Sequence, residues 1–437
     1  MKISFENFGV IKQGEIEQKP LTILCGENNT GKTYAMYAMY GLTKPLNIEI
    51  FSLNNQIQPI FNKLQTEKSI EIDIKKFIEE NIFYINQNSS ISLNMSIEEI
   101  FNSHQFKYNS QSINIKYQET ELSNDIFTKE ITLNAPTFNF RKERNSYIVK
   151  IHENTINFSN SDDYSNIFSY LFILSLVLSK KIIILFPAER AGLNLFYPEL
   201  NAYRTNLLHN FNQNNLIISK YPKPIADYID WLNFIPNYKN QTSQLFSSDS
   251  TTLQNKILGG NYSLDETNGI NFHLNNDKGN LPLHLTSSTV KTYFGLWFYL
   301  QHMAQEGDVL MIDEPELSLH PKNQRNIARL FAQLVNKGIK IVISTHSDYI
   351  VREFNNLIML AHAPNEEVKK QLMDKYGYTE DELLTKDKVG AYLFANNTIQ
   401  NMEITDEGII ATTFDEVIRE LNLSSDDIYY SIKDDHE

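Results

Sequence analysis

Eight consecutive residues, Gly26-Glu27-Asn28-Asn29-Thr30-Gly31-Lys32-Thr33, satisfy the spacing G-x-x-x-x-G-K-[ST] in full. Each residue type in that spacing has a task. The two glycines let the backbone curl, so that successive N–H groups from Asn28, Asn29, Thr30 and Gly31 can converge on a phosphate. The start of the next helix adds its positive end. Lys32 reaches the β- and γ-phosphates as a point charge, and the Thr33 hydroxyl binds Mg²⁺. The run lies between an apolar strand, Leu21-Thr22-Ile23-Leu24-Cys25, and a helix expected over Thr33–Leu42, the setting this chemistry requires.

A second run, Asp308-Val309-Leu310-Met311-Ile312-Asp313-Glu314-Pro315, is an apolar strand ending in two acids. Adjacent carboxylates at the end of a buried strand cost stability unless a cation sits beside them. Mg²⁺ supplies that charge: Asp313 holds the metal, directly or through water, and Glu314 polarises the attacking water as general base.

These residues need a scaffold, and the hydrophobic rhythm describes one. Lys2–Phe8 and Gly14–Glu17 read as a short antiparallel pair ahead of the apolar run at 21–25. From Thr286 onward the pattern alternates strictly: helix to about 305, strand 308–312, helix 322–337, strand 339–344, helix 347–355. That is the rhythm of parallel βαβ units. Between 46 and 165 it changes to Asn- and Ser-rich segments with period-two alternation, as in Ile113–Tyr117, Phe138–Phe140 and Tyr147–Phe158, after a helix expected over Ile60–Glu80 with Pro59 at its start. Ile167–Leu178 reads as a buried helix, because its 12 residues fall short of the roughly 20 that a bilayer needs. Residues 190–257 read as mostly helical, and Tyr262–Leu285 as a hairpin around Asn276–Gly279.

Composition narrows the function. The 437 residues carry a formal charge of −14, whereas coating DNA favours a positive balance. DNA binding stays open but is not indicated by charge. The single cysteine, Cys25, excludes an internal disulfide, fits a reducing cytoplasm, and reads as a core residue within its strand. No signal-peptide pattern opens the chain, so neither secretion nor a membrane role is expected.

Three runs together, Gly26–Thr33, Asp313–Pro321 (DEPELSLHP) and Ser344-Thr345-His346-Ser347, resemble ABC-type P-loop ATPases of the SMC/RecF kind. Within these they resemble the stand-alone bacterial AAA-family ATPases of OLD-like, Septu-like and PARIS-like anti-phage systems, with Phe186–Leu193 typical of that subgroup. The resemblance implies an α/β fold: an ABC-type core, a mixed sheet flanked by helices, over 1–45 and 166–360, with a helical lobe and hairpin at 190–285. A strand-rich antiparallel insertion at 46–165 and a mixed C-terminal region at 361–437 complete it. It also implies ATP and Mg²⁺ as ligands and a homodimer closing on nucleotide, with Leu319-His320 in the loop that crosses to the partner. His346 takes the place of the switch histidine that contacts the γ-phosphate and helps place the water. Ser287 and Ser288 occupy the place of the ABC signature and would act in trans, although the usual Leu-Ser-Gly-Gly-Gln run is absent and N-capping of a helix is the alternative. The usual Gln-loop is also absent. Glu189 or Arg190 is its positional stand-in, with phosphate pairing and an internal salt bridge both open.

Such ATPases often serve beside a separate effector such as a nuclease or toxin, and this chain shows no nuclease of its own. The residues after Leu360 are too few for a Toprim domain. A RecF-like DNA-repair clamp and a non-hydrolysing nucleotide-gated scaffold are the competing readings.

Overall fold

A computed structural model describes residues 2–43, 54–67, 69–73, 76, 100–101, 114–116, 127–132, 137–142, 148–153, 182–197, 199, 221–243, 245–265, 269–275, 279–410, 423–429 and 431. The expected helix at 167–178 lies outside these residues.

The first two strands, β1 (Lys2–Phe8) and β2 (Ile11–Glu17), pair antiparallel, as their alternation requires. β3 (Leu21–Gly26) is apolar on both faces and runs through the phosphate loop into α1 (Lys32–Thr43). α2 (Asn54–Glu67) begins earlier than expected, carries Pro59 inside it, and gives way to strand β4 (Ser69–Asp73) where helix was expected to continue.

The short β5 (Asn114–Lys116) pairs with β1 at the edge of the main sheet. β6 (Phe127–Thr132), β7 (Thr137–Lys142) and β8 (Ile148–Glu153) form with β4 a separate four-stranded antiparallel sheet. β9 (Ile183–Phe186) returns to the main sheet and leads into α3 (190–197).

α4 (Lys223–Tyr238) and α5 (Ser247–Leu253) are followed by a wider π-turn at Gln254–Leu258. The expected hairpin is a three-stranded meander, β10 (Gly260–Leu264), β11 (Ile270–Leu274) and β12 (Asn280–Pro282), because residues 260–264 also alternate and pair. The expected βαβ rhythm then holds: α6 (Ser288–His302), β13 (Val309–Asp313), α7 (Pro321–Asn336), β14 (Lys340–Thr345) and α8 (Asp348–Ala361), with β13 and β14 parallel. α9 (Glu366–Tyr376) precedes β15 (Val389–Ala395) and β16 (Thr398–Asn401).

The nine-stranded main sheet runs β5-β1-β2-β16-β15-β3-β14-β13-β9. The sheet does not stop at the expected boundary of 360. β15 lies parallel beside β3, with Phe394 opposite Gly26, and β16 bridges back to β2. Sequence adjacency cannot announce such a pairing, because the partners are more than 360 residues apart.

Burial explains why the central strands are apolar throughout. Side chains alternate between two cores, Leu21, Ile23, Leu310, Ile312, Ile341 and Ile343 on one face and Leu24, Leu185, Met311 and Val342 on the other. α6, α7 and α8 cover the first face and α1 the second. Glu353 of α8, buried, ties itself to Arg325 (2.6 Å) and Arg329 (2.5 Å) of α7. Among the described residues no helix is long and apolar enough to cross a membrane.

Candidate functional site

β3 stops where Gly26 adopts φ +139°, a conformation open to glycine, and a Cβ there would meet the Phe394 carbonyl oxygen at 2.4 Å. Asn29 (φ +63°) and Gly31 (φ +101°) complete the curl, and α1 starts at Lys32. Thr30 Oγ1 donates to the Glu27 carbonyl at 2.8 Å, bracing the turn. Asn28 and Asn29 at its crest are exposed. Lys32 is buried, and its Nζ donates to the carbonyls of Gly26 (2.8 Å) and Glu27 (2.6 Å). Burial draws this ammonium below its ordinary value, against the fields of Glu314 and Asp313. A positive side chain held on carbonyls at the start of a helix is matched to a polyanion.

Next but one in the sheet, β13 delivers Asp313 to the same place. Its carboxylate accepts from Thr33 Oγ1 (3.0 and 3.3 Å) and from Ser344 Oγ at the end of β14. The group is 2% exposed, and burial raises it above the usual carboxylate range while the Ser344 and Thr33 hydroxyls oppose. A buried acid met by hydroxyls and, among the described residues, by no ion pair has the donor set a hard divalent cation prefers, an oxygen of Thr33 beside oxygens of Asp313. The residues therefore fit Mg²⁺.

Glu314 follows in a left-handed conformation (φ +49°), its N–H shared between the carbonyl and hydroxyl oxygens of Ser344, both at 3.1 Å. Arg190, 2% exposed, sets this unusual peptide by donating to the carbonyls of Asp313 (2.6 Å), Glu314 (2.8 Å) and Pro187 (3.0 Å). In place of an internal salt bridge, Arg190 takes a further role. It grips the strand end from within through backbone carbonyls.

His346 closes the opposite side, its Nδ1 3.9 Å from Glu314 Oε1 and 3.3 Å from Glu316 Oε1. Glu316 and Ser344 were visible only as parts of their motif runs. The run itself was the signal, but it carried no hint of which side chains face each other.

Ser287 and Ser288 open α6. Ser287 Oγ accepts from its own helix, at the Val290 N–H (3.3 Å). Among the described residues, the bonds of this helix start do not reach the phosphate loop. They reach the loop after Glu314 instead, through Thr289 Oγ1 to the Ser318 carbonyl (2.6 Å) and Tyr293 OH to the Pro315 carbonyl. The structure thus brings Lys32, Thr33, Asp313, Glu314 and His346 together and sets the serines at the far end of that loop.

Residues 1–351 match the protein family described as the AAA ATPase domain. No curated protein sequence is similar to this chain. Among solved structures the chain is similar to the SMC head domain from Thermotoga maritima, at 10% identity and TM-score 0.34, covering 92% of this chain and 98% of that one. It is likewise similar to the Smc head domain from Pyrococcus furiosus bound to the C-terminal domain of ScpA, at 12% identity and TM-score 0.36, covering 96% and 98%.

Proposed function

The chain belongs to the AAA ATPase domain family, and from that premise we propose that it binds and hydrolyses ATP with Mg²⁺ between two copies of itself, whose closing and opening gates a separate effector. The observation that carries the ATPase reading is the bonded set Thr33–Asp313–Ser344, which joins the phosphate loop to the ends of two parallel strands.

Lys32 exchanges its two loop carbonyls for the β- and γ-phosphate oxygens, a gain because a charged donor meets charged acceptors. Thr33 and Asp313 would hold Mg²⁺, which when bound would supply positive charge against the phosphates. Glu314 Oε1 takes the proton of the attacking water, and the Arg190 grip keeps its peptide from relaxing out of the left-handed region. His346 lies close enough to Glu314 to meet the same water or the γ-phosphate. Ser287 or Ser288, at a helix N-terminus, supplies the partner copy's nucleotide with a hydroxyl and free N–H groups. The motif resemblance supports a setting in bacterial defence against phage, beside a nuclease or toxin.

ATP turnover and particle mass test this together. Glu314→Gln should slow hydrolysis at least roughly a hundredfold and accumulate a dimer with ATP and Mg²⁺. A wild-type chain without turnover would leave the scaffold reading. A Glu314→Gln chain that stays monomeric at saturating ATP would remove the sandwich.

A further inference from the structure

Glu314 and Glu316 lie on one loop and face the same imidazole, yet their surroundings differ. The Glu314 side chain is 27% exposed and that of Glu316 is 6% exposed. Glu316 Oε1 accepts from Thr345 Oγ1 (2.9 Å) and from the His346 N–H (2.9 Å). Its second oxygen, Oε2, is buried without a hydrogen-bond partner among the described residues.

That arrangement is poor as pure architecture. The carboxylate keeps a charged oxygen out of water with no donor among the described residues to meet it. What the charge gains is the ring 3.3 Å away.

The backbone of His346 is already fixed on both sides. Thr345 Oγ1 donates to Glu316 while accepting from the Ser347 N–H (3.0 Å), and Ser347 Oγ donates to Gln324 (2.6 Å). Only the ring's own torsions and tautomer remain to be set, and the ring is 44% exposed.

We propose that Glu316 is a positioning residue for ATP hydrolysis, holding the His346 ring with its hydrogen on Nδ1 and so offering the Nε2 lone pair as an acceptor to the attacking water. The neighbouring carboxylate explains why Glu314 is spared for the water: the anchoring contact belongs to Glu316, and Glu314 stands farther off at 3.9 Å. Among the described residues the other charged groups here include Lys32 of the phosphate loop, Asp313 of β13 and Arg190, which bonds the Asp313 and Glu314 carbonyls. The inference rests on the ATPase reading of the same site.

Glu316→Gln, His346→Ala and the double variant separate the two ideas. Nitrogen NMR of the histidine ring, assigned by its loss in His346→Ala, should show the Nδ1–H tautomer in the parent and a mixture in Glu316→Gln, without nucleotide. In turnover, Glu316→Gln should lower kcat by about tenfold or more with KM for ATP within about twofold, and the double variant should be no slower than His346→Ala alone. An unchanged tautomer with unchanged kcat, or losses that multiply in the double variant, overturns the proposal. If His346→Ala is silent in turnover, the histidine's catalytic role falls, and the tautomer comparison still decides whether Glu316 orients the ring. Should Glu316→Gln fail to fold, Thr345→Val, which removes one donor aligning the carboxylate, must lower kcat in the same sense, and an unchanged kcat there refutes the idea.

Discussion

Lys32 spends its donors on the loop it closes, so its removal has two separable effects. Lys32→Ala leaves the Gly26 and Glu27 carbonyls short of a partner, costing the nucleotide-free protein about 1 kcal/mol, and it weakens ATP binding by more than about tenfold. Urea unfolding without nucleotide and direct ATP binding measure the two, and parental values in both would make the lysine incidental. Asp308 has a different lesson. It accepts from the Ile182 N–H (2.7 Å), Tyr299 OH (2.7 Å) and the Gln305 N–H (3.0 Å), and burial nevertheless pushes its carboxyl up to about 6. The folded chain therefore holds this proton more tightly than the unfolded chain. The stabilisation is complete below the ordinary value of 3.8 and is lost as pH rises through about 6. Asp308→Asn should flatten that slope, worth at most about 3 kcal/mol. Melting curves across this window that stay parallel for both proteins would contradict the assignment. Asp313 and Glu314 were legible as chemistry because the motif names them. Asp308, five residues earlier on the same run, carried no such signal, since its partners Gln305, Tyr299 and Ile182 are set by how the helix and strands pack.

Among the elements, those whose register follows from local rhythm were readable. β3, β13 and β14 announce themselves as continuous apolar runs, and α7 and α8 by their buried stripes. Pro59 was misleading because proline favours a helix's first turn, and here it sits inside α2. β15, Val-Gly-Ala-Tyr-Leu-Phe-Ala, has strand-like composition, but nothing in its neighbours tells which sheet it enters. Its entry beside β3 makes Gly26 a packing position as well as a turn. Gly26→Ala would press a Cβ against the Phe394 carbonyl at 2.4 Å, in a conformation that side chains rarely adopt. Either the loop opens or β15 shifts, so this substitution should cost about 3 kcal/mol or more and lose ATP binding. A stable Gly26→Ala protein with intact binding would show that the two strands slide freely.

For the whole molecule, the sheet order carries the main prediction. A chain cut before β15 retains every motif residue, from Gly26 to His346, yet exposes the flank of β3 that β15 covers. It should express as an aggregating or unfolded product without nucleotide binding, and a soluble, ATP-binding fragment would show that the C-terminal strands are an accessory. What the sequence could not display was this closure, because the resemblance ends where the motifs end. The same closure bears on biosynthesis. The ribosome releases the phosphate loop early, while the strand that flanks it follows only after residue 388 and the bridge to β2 after residue 397. At about 5–20 residues per second the N-terminal strands wait some tens of seconds, their edges unpaired, for partners not yet made. During that interval the exposed edges are open to pairing with other chains. A message cut short before β15 would leave the phosphate-loop strand without the neighbour that completes its flank.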